Sequence, residues 1–243
     1  MGFLQNILGS LIRFVYEGVS TVFSQEPASI SFLAISIIIT TIIFKLALLP
    51  LTLKQIRSQR DMQKVQPLMQ EIQRKYKNNP EIMNQKLREL YKEHNYNPAG
   101  GCLPLLIQMP IIIAFFWVMR EPGKYIFENP AMAADIAKNF LWIPNIEKPD
   151  VLLWGLPLIN AASQYGVAKL SAANQQRAND DNPQAAQMQS MNTMMLYGMP
   201  IMMFFFARSI AAGVIIYWIT SNLIEILLRT VFKRMYMTRE EEA

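Results

Sequence analysis

Lys45 is the lone charge in an otherwise apolar stretch, residues 30–53, ISFLAISIIITTIIFKLALLPLTL. An ammonium deep in a membrane span costs roughly 2.5–3.5 kcal/mol on insertion scales, so it must face water, a counter-charge or a polar ligand. Thr41 precedes it by one helical turn on the same face. Toward the other end of the chain, Trp218, Ser221, Asn222, Glu225 and Arg229 recur at offsets of 3, 4, 7 and 11. Helical periodicity places those five on one stripe. Asn160, Ser163 and Gln164 form a further polar patch, and Gln108 stands alone in another apolar run. Such groups bind through hydrogen bonds and charge. They suit a groove that receives polar or anionic peptide groups, with Lys45, Thr41, Gln108, Asn160, Gln164, Trp218, Asn222 and Glu225 as candidate lining.

Covalent chemistry finds no support in the same residues. No serine, cysteine and histidine constellation occupies the apolar runs, so a nucleophile would have no base. There is no HExxH metal motif and no glycine-rich phosphate loop. The single cysteine, Cys102, excludes an internal disulfide and a cysteine-based metal cluster. The methionines at 194, 195, 199, 202 and 203 read as packing or lipid contact, because no imidazole or thiolate accompanies them. No metal, no cofactor and no catalytic residue is expected.

The groove needs helices to hold it. With 52% hydrophobic residues gathered into runs, the chain reads as an all-α integral membrane protein with five transmembrane helices, an N-terminal amphipathic helix and a cytoplasmic helical hairpin. Residues 1–29 are expected to lie in the outer membrane surface, with apolar positions at helical spacing and Arg13 and Glu17 between them. Arg13 in mid-stretch and the lack of a small-residue cleavage site argue against a cleavable signal, so the first span serves as its own targeting signal. The expected spans are 30–53, 100–118, 151–171, 191–207 and 210–232. Between them lie a basic hairpin at 54–99, an outer loop at 119–150, a polar connection at 172–190 and a tail at 233–243. Phe127, Phe140, Trp142 and Ile143 of the outer loop suit the membrane–water interface.

Charge orients the whole. Residues 54–95 carry ten Lys or Arg against five Asp or Glu. With the N-terminus outside, sixteen of the 23 Lys and Arg fall on the inner side and six on the outer, with Lys45 inside a span. The positive-inside rule therefore puts the hairpin and C-terminus in the cytoplasm. Plainer readings stand beside the functional one. Lys45 and Glu225 could form a structural ion pair, the amides could be interhelical glue, and the hairpin could be a solvated domain.

Three segments resemble the YidC/Oxa/Alb membrane protein insertases: 97–111 (NPAGGCLPLLIQMPI), 45–67 (KLALLPLTLKQIRSQRDMQKVQP) and 212–223 (AGVIIYWITSNL). The resemblance covers nearly the whole chain after residue 25 and is closest to the short bacterial form. It implies a hydrophilic groove open to cytoplasm and lipid, a cation in the first span, and no nucleotide hydrolysis. It also implies nascent membrane proteins as clients, lipids, the Sec translocon and the ribosome as partners, a bacterial cell membrane as location, and a monomer as the working unit. Gln164 and Trp218 would face the groove. Lys45 stands where the family usually has arginine, which keeps the charge and loses the planar fork. Ala212 replaces a proline common in the third motif. A different class, a small secondary transporter or channel using Lys45 and Glu225, would show solute flux dependent on Glu225 and no effect on insertion. A purely structural assembly partner is the third reading.

Overall fold

In the computed structural model the described residues are 2–94, 103–127, 129–152, 154–171, 190 and 193–241, with the side chains of 63, 103–106 and 233–241 left aside. They are helical almost throughout, and no strand occurs among them. In order come α1 (Gly2–Val22), α2 (Phe32–Ala47), α3 (Leu49–Lys75), α4 (Pro80–Glu93) and α5 (Leu103–Arg120). Two short helices follow, α6 (Pro122–Tyr125) and α7 (Pro130–Asp135), then α8 (Leu156–Ser171), α9 (Met194–Ala207) and α10 (Ala212–Glu241). The first motif's NPAGGC portion and most of the 172–190 connection lie outside the described residues.

Among the described residues, one helix is long and apolar enough by itself to cross a membrane, Ala212–Phe232 within α10. The α2–α3 pair passes the same test together, but it bends by 65°. Residues 30–53 are thus not one straight rod. The bend falls at Leu48, because Pro50 brings no N–H to the helical ladder and its ring excludes the preceding turn's carbonyl. Leu48 closes α2 through its N–H to the Phe44 carbonyl at 3.1 Å, and its own carbonyl takes the Thr52 N–H at 2.9 Å. Lys45 consequently occupies the last turn of α2, next to the bend, rather than the middle of an unbroken span. The sequence boundary at Leu53 falls inside α3. The third apolar run also starts late: Val151 and Leu152 are exposed, and α8 begins at Leu156.

α10 is the spine. It packs against α8, α2 and α5, while α1 packs across α2 and α5, and α9 packs on α8. Leu8, Ile12, Leu33, Ile37, Phe115 and Ile215 meet in one core and are fully or almost fully buried. Within lipid, apolar burial alone gives helices little reason to associate, so close packing must do more. Gly213 shows this. A Cβ there would stand 2.6 Å from the Met119 sulfur, and Met119 is itself buried. Gly9 likewise lets α1 approach the Tyr125 carbonyl, where a Cβ has no room. In α9 the first turns take π geometry, the Met199 N–H reaching back to Met194, just before Pro200 removes the next donor.

The loop between α7 and α8 locks the α10 start. Lys148 and Ile146 offer carbonyls to the Ala212 and Gly213 N–H groups at 2.9 and 2.8 Å, satisfying donors that a helix start leaves open. The same loop reaches α2: Ser31 N–H donates to Asn139 at 2.8 Å, and Leu141, with φ 52°, donates to Ser29. Phe127 and Ile143 are buried in the core, so the proposed interfacial quartet is split. Trp142 remains half-exposed. Its indole N–H donates to buried Asp150 at 3.0 Å, and that carboxylate also accepts from the N–H groups of Leu152 (2.9 Å) and Leu156 (2.8 Å). Asp150 thereby caps α8 at the favourable end of its dipole. Asp150→Ala should leave three donors short of an acceptor and lower stability by about 1–3 kcal/mol. Thermal unfolding in detergent, followed by Trp emission, measures this; an unchanged midpoint would contradict it.

Candidate functional site

Polar side chains of α2, α3, α5, α8 and α10 gather along one face of α10 in three levels, called outer to inner from the 119–150 loop toward the α3–α4 hairpin. At the outer level, Gln108 of α5 donates its amide to the Tyr217 hydroxyl at 2.6 Å, and the Tyr217 ring stacks on Phe115 at 4.0 Å. One turn inward, Asn222 donates to Ser163 at 2.9 Å and Gln164 at 3.1 Å on α8. At the inner level Glu225 lies between two cations. Arg229 donates through Nε and Nη2 to Oε1 at 2.9 and 2.7 Å, and Lys45 Nζ of α2 stands 3.7 Å from Oε2. The remaining Arg229 nitrogen, Nη1, donates to Gln59 of α3. From Tyr217 to Arg229 the ladder runs about 18 Å at the usual helical rise.

Helical spacing explains why α10 carries it. Positions 217, 218, 221, 222, 225 and 229 share one side, so each turn meets a different neighbour. Small residues permit the approach: Gly166 of α8 lies against Ile226, where a Cβ would stand 3.0 Å from the isoleucine Cδ1. α2, α8 and α10 all run from the outer loop toward the hairpin, which puts Lys45 of α2 beside Glu225 near the bend.

The eight candidate residues do not form a single pool. Gln108, Gln164, Asn222, Glu225 and Lys45 belong to the ladder. Trp218 lies on its flank and is buried. Thr41 is fully buried and donates to its own helix at the Ile37 carbonyl, 2.6 Å away, so its hydroxyl is already spent there. Asn160 is also fully buried, and its amide makes no hydrogen bond among the described residues. Two members were not picked out from sequence. Tyr217 reads as one more aromatic in an apolar run, although its placement one turn before Ser221 was a usable signal. Gln59 reads as hairpin surface, and only the bend after Leu48 returns it to the level of Arg229.

Electrostatically the inner level carries two cations and one carboxylate. At 3.7 Å and an effective dielectric of about 20, the Lys45–Glu225 attraction is on the order of 4 kcal/mol, and desolvation offsets much of it. Away from the spans, on α4, Lys86 and Glu89 pair at 2.6 Å; that hydrogen bond shifts the lysine upward and the carboxyl downward from their ordinary values. His94 ends α4 exposed, its Nδ1 3.1 Å from the Leu90 carbonyl. No group of three or more His, Cys, Asp or Glu able to hold a metal occurs among the described residues.

The arrangement matches a known fold. A solved structure described as an active YidC insertase with its first transmembrane domain resolved superposes with a TM-score of 0.58 at 24% identity. It covers 91% of this chain, which spans 45% of that one. The model of the 60Kd inner membrane protein family matches residues 27–240. The chain is 36% identical to the membrane protein insertase YidC of Clostridium tetani, covering 93% of this chain and 91% of that relative. It is equally 36% identical to the insertase of Fusobacterium nucleatum, covering 93% and 95%. This chain belongs to the 60Kd inner membrane protein family, the family of the YidC insertases.

Because Arg229 holds both Glu225 and Gln59, Arg229→Met should lower stability by roughly 2–4 kcal/mol. Lys45→Met should change it by less than about 1 kcal/mol, since Glu225 keeps its stronger partner. Thermal unfolding of the two purified variants in one detergent decides the order; the reverse ranking would contradict this geometry.

Proposed function

We infer that this chain is a membrane protein insertase that receives nascent membrane proteins and releases them into lipid. Membership of the insertase family over almost the full length carries the reading. The ladder on α10 supplies the chemistry. A polar client segment meets its free-energy barrier in hydrocarbon, where its peptide groups lose water without compensation. Hydrogen-bonding groups held along about 18 Å of helix shorten that dry path. The client's apolar segment, sliding into lipid, then supplies the driving force at roughly 25 cal/mol per Å² buried. No nucleotide enters, and no covalent bond is made or broken.

In this reading the chain crosses the bacterial cell membrane five times, with N-terminus outside and C-terminus in the cytoplasm. α1 lies on the outer surface, and the α3–α4 hairpin receives clients within the cytoplasm. The distribution of Lys and Arg supports that orientation. Lys45, Thr41, Gln108, Asn160, Gln164, Trp218, Asn222 and Glu225 line or support the groove, with Lys45 as its exchangeable cation. The groove opens to the cytoplasm and lipid. The monomer is the working unit, with lipids, the ribosome and the Sec translocon as neighbours.

The test is reconstitution in protein-free liposomes beside synthesis of a single-span client with an acidic outer segment. Wild type should yield a protease-protected fragment. Lys45→Ala should reduce it several-fold, and Lys45→Arg should retain it. Full protection with Lys45→Ala would remove the cation from the path, and no protection above empty liposomes with wild type would remove the insertase reading.

A further inference from the structure

The two cations at the inner level are not held alike. Arg229 and Glu225 sit one turn apart on the same helix, so their spacing is set by α10 itself. Arg229 makes two hydrogen bonds to Oε1, at 2.7 and 2.9 Å, and is steadied on its far side by Gln59. Lys45 comes from another helix, in that helix's last turn, beside the bend at Leu48. Its ammonium stands 3.7 Å from Oε2, beyond the 2.7–2.9 Å of a charge-assisted hydrogen bond. Lys45 is therefore held to Glu225 chiefly by charge, across a contact longer than either bond that Arg229 makes. Its side chain keeps 15% exposure against 9% for Arg229, and Leu46 and Ala47 next to it are exposed.

We propose that Glu225 sets the charge selectivity of insertion: it is the resident counter-ion of Lys45, which an acidic residue of the client replaces, while Arg229 retains Glu225. The proposal rests on the insertase reading and adds a competitor within the site. When a client carboxylate reaches Lys45, the ammonium exchanges one anion for another, and Glu225 stays neutralised by Arg229. No bond is made or broken and no proton need move. A neutral client segment offers nothing to exchange, and a basic one meets two cations. Glu225 thus lowers the advantage of acidic segments, and it keeps Lys45 from holding them too long for release.

The experiment compares two clients that differ at one position of the translocated segment, Asp against Asn. Each is inserted into liposomes holding wild type, Glu225→Gln, Glu225→Asp or Lys45→Gln, and the ratio of initial rates, Asp client over Asn client, is read. Glutamine keeps the shape and an acceptor for Arg229 while removing the competing charge. The ratio should rise roughly three- to tenfold in Glu225→Gln, shrink toward one in Lys45→Gln, and respond less at high salt. Glu225→Asp shortens the reach toward Lys45 and should fall between wild type and Glu225→Gln, which keeps the test alive if the glutamine variant folds poorly. An unchanged ratio in both Glu225 variants beside an active wild type would overturn the proposal and leave the insertase reading intact. A wild type without activity above empty liposomes would overturn both.

Discussion

The carboxylate of Glu225 ties α10 to α2 and α3, the two halves of a bent pair far from it in the chain. It bonds Arg229 on its own helix, faces Lys45 on α2 and, through Arg229, reaches Gln59 on α3. Isolated charges in this part of the protein would be expensive, and each is tolerable because of the others. The bend between α2 and α3 depends on the same place. Pro50 ends the first rod, and the returned α3 brings Gln59 to the level of Arg229. Without that bend Lys45 would lie deeper in an unbroken span, and the hairpin would lose a polar tie to α10.

From this level the ladder extends along α10 to Asn222 and Tyr217, and the loop between α7 and α8 closes its far end. Loop carbonyls take the first N–H groups of α10, Asp150 caps α8, and Ser29 and Ser31 are bonded to the loop segment that precedes Trp142. One end of the helix group is therefore held by backbone hydrogen bonds and a buried carboxylate, and the other by charges. Rigid capping at one end and ionic contact at the other fit the proposed groove, which needs one closed end and one where charges can exchange. α10 alone carries all three levels.

Much of this was legible in the residues. The stripe at 218, 221, 222, 225 and 229 reads directly as one helix face, and the family motifs pointed to the family that the comparisons show. What stayed hidden is geometric. Periodicity cannot say that the Thr41 hydroxyl turns back to Ile37, or that Phe127 and Ile143 enter the core while Trp142 stays half-exposed. An apolar run with a proline does not announce whether it kinks or carries on, because membrane helices tolerate proline when neighbours satisfy the freed carbonyl. Pro110 sits inside α5 and Pro50 starts a new helix, though both occur in similar apolar surroundings. Gln59 was invisible because its role depends on that bend.

The proposed insertase groove requires water to reach the ladder face of α10 at membrane depth while the opposite face meets lipid. Spin labels at single cysteines placed at 222, 225, 223 and 227, in a chain with Cys102 changed to serine, report this in liposomes through relaxation by a water-soluble nickel chelate against oxygen. Labels at 222 and 225 should favour the nickel chelate, and those at 223 and 227 should favour oxygen. Four positions with the same oxygen-dominated response would mean a dry helix face and would contradict the groove.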